Sequence, residues 1–135
     1  MAIFNDSEHF YKVLVPFFNK LKDDPYMGPK VLASGLVIQF IYTNPDATLT
    51  IDCPNNLIIA GATELKPDVE MSMTAEVAHK FWLGKVNLVM ALTKRDIVAK
   101  GPVAKILKLL PIIKNSYAMY KDYLIEIGMQ SATEI

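Results

Sequence analysis

The sequence predicts an α+β domain whose helices gather on one face of a mainly antiparallel sheet. Three observations carry that prediction. Apolar residues recur at helical intervals near the start. A run of short β-branched and aromatic stretches separated by turn residues follows, and beyond residue 74 the helical period returns, broken by one short strand. At 135 residues the chain can bury one core without a disulfide or metal. Residues 1–135 are therefore read as a single domain, with 129–135 as a flexible tail.

Asn5 and Glu8 have capping-box spacing, and Phe10, Val13, Leu14, Phe17 and Leu21 follow at helical intervals, which predicts a first helix over about 6–22. Pro16 inside it removes a hydrogen bond and predicts a bend, or two pieces. After Asp23-Asp24-Pro25, residues 25–33 read as a short second helix or irregular turn interrupted by Gly28-Pro29. Residues 36–42 have strand composition, and Asn44-Pro45-Asp46 turns the chain into 47–52, where Leu49 and Ile51 alternate with Thr48 and Thr50. A third strand is expected over 57–60. A fourth, over 69–73, sets Val69, Met71 and Met73 on one face and Glu70 and Ser72 on the other, so the sheet has a core side and a wet side.

Thr74 fits the N-cap of a helix that closes at Leu83-Gly84, and Asn87 caps another through Leu92. Residues 97–100 form a short strand, and Gly101-Pro102 opens a final helix with proline at its first position. Pro111 interrupts that helix. Beyond it Ile113, Tyr117, Tyr120, Leu124 and Ile127 draw one apolar stripe, a helical extension suited to a homodimer or a partner protein.

Charge is neutral overall but uneven along the chain. Residues 1–79 carry five Lys against ten acids (−5), residues 80–121 nine Lys or Arg against one Asp (+8), and 122–135 three acids (−3). A basic stripe of this kind attracts an anionic group or membrane surface, or simply solvates helix faces. Nucleic acid is disfavoured, because Phe81, Trp82, Tyr117 and Tyr120 occupy apolar helix positions and not an open stacking surface. No apolar run approaches the roughly 20 residues of a membrane span. Without a signal-like start or an address at the end, the expected compartment is the cytoplasm, with at most peripheral membrane contact.

The sequence shows no assembly of catalytic groups. The histidines are His9 and His79, and His79, beside Lys80, reads as a surface or edge residue. Cys53 stands at a strand end with no cation at fixed spacing to hold a thiolate. No HxxxH, CxxC or phosphate-cradling glycine motif occurs, so no catalytic residue, metal site or cofactor is expected and the chain is not read as an enzyme. What stands out is apolar surface between 81 and 113, more than one core requires. It reads as core plus a dimer surface, or as short helices that stand off the sheet and leave a tunnel.

Gly84-Lys85-Val86-Asn87 resembles the GKxN element of sterol carrier protein type 2 domains. Ile97-Val98-Ala99-Lys100-Gly101, followed by the helix from Ala104 to Leu110, resembles that family's last strand, glycine and terminal helix, and 68–74 resembles the strand entering its third helix. The order of elements agrees as far as about Pro111. Leu88 stands where the family usually has proline, and the chain continues well past the family's usual end. The resemblance implies about five strands backed by helices around an apolar tunnel for a fatty acid, acyl-CoA or sterol-like lipid. It also implies an alternative role, an oligomerising or partner-binding module that presents apolar substrates to a separate enzyme. Candidate lining residues are Phe81, Trp82, Leu88, Leu92, Leu107, Leu110 and Ile113, with Lys85, Lys105 and Lys108 as candidate contacts for a ligand head group.

Overall fold

The computed structural model describes residues 3–134. Its first helix, α1 (Ser7–Asp23), is capped by Asp6, whose carboxylate accepts the His9 N–H at 2.8 Å. The expected cap at Asn5 is thus displaced by one residue, and the Asn5 N–H donates to His9 Nδ1 instead. Pro16 lies within one continuous helix. The lost backbone bond is tolerated because Phe10, Leu14, Phe17 and Phe18 are fully buried on both sides of it. The second helix, α2 (Met27–Leu32), contains Gly28-Pro29 instead of being broken there. Gly28 is needed for contact, since a Cβ at this position would stand 2.0 Å from the Lys22 carbonyl oxygen of α1.

Strands β1 (Val37–Thr43), β2 (Ala47–Asp52), β3 (Leu57–Ala60), β4 (Val69–Thr74) and β5 (Val98–Lys100) form one sheet in the order β3-β2-β1-β4-β5. Three of the four pairings are antiparallel, and β1 and β4 run parallel at the centre. Register aligns Ile38, Phe40 and Tyr42 of β1 with Ile51, Leu49 and Ala47 of β2, and with Val69, Met71 and Met73 of β4. All nine residues therefore share the face turned to the helices, while Gln39, Glu70 and Ser72 occupy the other.

The chain then forms α3 (Ala75–Trp82) and α4 (Leu88–Lys94), each with its expected cap: Thr74 Oγ1 accepts from Val77 N–H and Asn87 Oδ1 from Met90 N–H, both at 3.1 Å. After β5 the single expected helix is three: α5 (Val103–Leu107), α6 (Leu110–Ile113) and α7 (Ser116–Glu126). Pro102 is the cap of α5 instead of its first residue, and Pro111 starts a new helix instead of kinking an old one. Tyr120 and Leu124 of α7 are completely buried, so much of the apolar stripe packs within this chain and leaves Ile125 and Ile127 exposed at its end. The last residues differ from the flexible tail expected for them. Gln130–Glu134 forms a 3-10 turn with Ala132 and Thr133 buried, and Ile135 lies outside the described residues.

The central parallel pair is tied at one end by Asp68, whose N–H donates to the Val37 carbonyl and whose carboxylate accepts the Val37 N–H, both at 2.8 Å. Gly101, with φ +106°, lies against this joint; a Cβ there would stand 2.2 Å from the Asp68 carbonyl oxygen. Gly101→Ala combines a disfavoured backbone angle with that clash. We expect it to cost at least about 2 kcal/mol of stability in urea denaturation.

Candidate functional site

The inner sheet face is covered unequally. On one side α1, α3 and α7 meet in an aromatic cluster, where Phe17 lies 5.4 Å from Trp82, 4.7 Å from Tyr120 and 5.9 Å from Tyr123 between ring centroids. Edge-on and offset contacts of this kind leave little space. On the other side the cover is made of α4, α5 and α6, at most seven residues long, and a cavity of about 60 Å³ remains beneath them. Its floor is Ile38, Phe40, Tyr42, Ile51, Met71 and Met73 of the sheet. Its walls and roof are Val31, Phe81, Trp82, Leu88, Ile97, Ile106, Leu109, Leu110 and Ile113.

Two further spaces adjoin it. A second apolar cavity of about 50 Å³ beneath α1 and α2 shares Val31, Ile51, Trp82 and Ile113 with the first. An open groove of about 680 Å³ shares Phe81, Leu88 and Leu110 with it, and is completed by Val86, Asn87, Val89, Pro111, Lys114 and Tyr117. Phe81, Leu88 and Leu110 thus separate the interior from the surface.

Residues 18–114 match the SCP-2 sterol transfer family. The chain belongs to that family. Among solved structures it is similar to the apo form of sterol carrier protein 2 from Yarrowia lipolytica, at 17% identity and TM-score 0.62 over 87% of this chain and 98% of that one. It is also similar to a UbiJ-SCP2 ubiquinone synthesis protein, at 12% identity and TM-score 0.57 over 82% and 89%. A third similar structure is Aedes aegypti sterol carrier protein 2 in complex with the C16 fatty acid palmitate, at 18% identity and TM-score 0.54 over 72% and 90%. No curated protein sequence matches the chain. The family fold agrees with the five-stranded, mostly antiparallel sheet and its helices on one face.

Among the residues singled out from sequence, Phe81, Trp82, Leu88, Leu110 and Ile113 border the inner cavity. Leu92 and Leu107 do not. Both are half-buried against the core, with Leu92 in a shallow surface depression beside Ile97. Leu107 is displaced by helix phase, because α5 ends there and α6 restarts at Leu110, which turns Ile106 and Leu109 inward. Lys105 and Lys108 are exposed, and Lys85 directs its ammonium to the Thr133 carbonyl at 3.4 Å. Lys114 is the cation that borders the groove. The sheet floor is not among the residues the sequence singles out, although the period-two alternation of Val69, Met71 and Met73 marks which strand residues face inward. No helix among the described residues is long and apolar enough to cross a membrane.

His79 occupies a different position from the surface site expected for it. It is 1% exposed and uses both ring nitrogens. Nε2 lies 2.7 Å from the Ala132 carbonyl, which can only accept, so Nε2 carries the proton and Nδ1 accepts from the Tyr120 hydroxyl at 2.7 Å. Burial holds the imidazole below its ordinary pKa, against the opposing pull of the Ala132 hydrogen bond. The folded protein therefore binds fewer protons at His79 than the unfolded chain does. Its contribution to stability is complete above the unfolded pKa of about 6.5 and is lost as pH falls below it. Urea denaturation between pH 7 and 5.5 should show stability falling with pH by no more than about 1.4 kcal/mol per unit from this group, a slope that His79→Gln removes.

Proposed function

We propose that this protein binds a lipid chain in the space between the sheet and helices α3 to α6, and carries or presents that lipid without transforming it. The observation that carries the reading is the composition of the cavity wall: fifteen residues, all aliphatic, aromatic or thioether, in a member of the SCP-2 sterol transfer family. The solved likeness of the fold with palmitate bound in the Aedes aegypti protein supports a fatty-acyl or similarly shaped ligand. Phe81, Trp82, Leu88, Leu110 and Ile113 are assigned as lining, with Ile106 and Leu109 beside them. Leu92 and Leu107 are assigned to support behind the wall.

Twelve buried methylenes at about 0.8 kcal/mol each give roughly 10 kcal/mol gross, and association costs of about 4–15 kcal/mol offset much of it, which points to micromolar affinity. The interior volume of about 60 Å³ is well below the roughly 300–1,000 Å³ of an ordinary ligand pocket. Binding therefore requires outward movement of the short roof helices, and it joins the groove to both cavities past Phe81, Leu88 and Trp82. An anionic head group left at the groove meets Lys114, with Lys85, Lys105 and Lys108 adding only to the general basic character of this segment. The working compartment assigned is the cytoplasm, with at most peripheral membrane contact.

A second reading is favoured by exposed Ile125 (44%) and Ile127 (41%) at the end of α7. In it, the chain assembles with itself or with an enzyme and presents the apolar ligand there. The likeness to a ubiquinone synthesis protein supports it.

A fluorescent long-chain fatty acid should be taken up saturably and displaced by unlabelled lipid. Leu110→Trp, which fills the shared wall of groove and cavity, should weaken uptake about tenfold while leaving thermal unfolding cooperative. Absence of saturable uptake by the unaltered protein rejects the carrier reading. For the second reading, sedimentation velocity should show an assembly that Ile127→Lys dissolves; a monomer before and after the change excludes self-assembly through this face.

A further inference from the structure

Helix α4 buries Leu88 and Ala91 and turns Val89, Met90, Thr93 and Lys94 outward. Val89 is 55% and Met90 53% exposed, and among the described residues these neighbours are the two most exposed large apolar side chains. The apolar surface continues on both sides of the helix. Val89 belongs to the open groove with Phe81, Val86 and Leu110, and Leu92 to a shallow depression with Val98 and Val103. Each hollow is bordered by one cation, Lys114 in the groove and Arg95 in the depression, and Lys94 is exposed on the last turn of α4. Acids do not neutralise these cations. Among the described residues the ion pairs are Lys22–Asp23 and Lys80–Glu76, so Lys94, Arg95 and Lys114 have none, and Asp96 is the one acid of residues 80–121. Polar groups along the ridge are meanwhile satisfied within the helix: the Met90 N–H donates to Asn87 Oδ1 at 3.1 Å and the Thr93 hydroxyl to the Val89 carbonyl at 3.0 Å. The ridge can therefore leave water without stranding them.

We propose that α4 is a membrane-docking ridge: Val89 and Met90 enter the interface of an anionic bilayer while Lys94, Arg95 and Lys114 meet its head groups. The occupant is set by the combination of the two chemistries. A soluble anion would use the cations and leave Val89 and Met90 in water, whereas a bilayer takes both at once. The apolar stems of lysine and arginine follow the ridge into the interface while their charges stay in the head-group layer. What docking does for function rests on the lipid-binding reading. Leu88, on the inner face of the same helix, borders both the cavity and the groove, so docking by α4 sets the mouth of the lipid site against the bilayer.

Co-sedimentation with vesicles of phosphatidylcholine containing about 30% phosphatidylserine, and with vesicles of phosphatidylcholine alone, measures the docking directly. The unaltered protein should partition about tenfold more strongly onto the anionic vesicles. Lys94→Gln combined with Arg95→Gln should lower that partition about tenfold, and Met90→Asp by a similar factor. Lys12→Gln with Lys66→Gln removes the same charge from exposed positions on α1 and on the loop before β4, and should lower it by less than about twofold. Equal partition onto both vesicles, or an equal loss in this control pair, overturns the ridge. Release of the bound protein by an excess of soluble phosphoserine overturns it too, because that marks a site for the anion alone. Undiminished vesicle binding by the Lys94 and Arg95 variant does the same and leaves the face to an acidic protein partner. Fatty-acid uptake is measured separately: docking without uptake keeps the ridge and rejects the carrier reading, and uptake without docking does the reverse.

Discussion

The structure depends on one constraint: a five-stranded sheet with a single apolar face must be covered by helices, and the sequence supplies few long ones. The face is continuous because β1 and β4 run parallel at its centre, which brings Ile38, Phe40 and Tyr42 into line with Val69, Met71 and Met73. Alpha1, with seventeen residues, covers one half and carries three phenylalanines into the core. The other half is left to helices of four to seven residues. Trp82 marks the boundary. Its ring lies within 5.5 Å of Phe17 and Phe18 on the packed side and borders both apolar cavities on the other. Packing is dense where aromatic rings from long helices meet, and incomplete where aliphatic residues from short ones must bridge the same distance.

The C-terminal segment closes the packed half, not the cavity half. Tyr123 donates to the Val13 carbonyl of α1 at 2.7 Å, Tyr120 donates to His79 of α3, and His79 in turn holds the 3-10 turn through Ala132. Three hydrogen bonds thus bind one long helix, one short helix and the chain end into a unit that needs no ion pair. Because each group is buried and satisfied, losing any one partner would strand another. The pairing also explains a tyrosine-rich α7: a phenol brings both the aromatic area the cluster requires and a donor that can reach across it.

Local chemistry made most elements legible in the sequence. Thr74 and Asn87 announce their helices because a cap acts within three residues, and β4 declares its inward face by alternation alone. What was hidden depends on distance along the chain. His79 reads as a surface residue because its partners lie 41 and 53 positions away. Tyr42 gives no sign of bordering a cavity until the parallel pairing with β4 places it there. The division of the last helix into three is not legible in the sequence because Pro111 can end, kink or start a helix, and only the packing of Ile106 and Leu109 decides between them. That one phase shift takes Leu107 off the wall, while Phe81, Trp82 and Leu88, on helices with readable caps, border the cavity.

Capping differs among the helices that cover the sheet. Alpha1, α3 and α4 each begin at a side chain that accepts a backbone N–H, from Asp6, Thr74 and Asn87, an interaction typically contributing about 1 kcal/mol. Alpha5 and α6 begin at Pro102 and Leu109, with no side-chain cap, and α6 buries no residue fully. These two helices form much of the roof over a cavity too small for a lipid chain. Neither helix begins with a side chain that fixes its first turn, so both are held by the apolar contacts of Ile106, Leu109, Leu110 and Ile113. The packed half meanwhile keeps its aromatic cluster and its buried hydrogen bonds. The same shortage of long helices therefore leaves both an incompletely filled cavity and, in α5 and α6, a roof without side-chain caps.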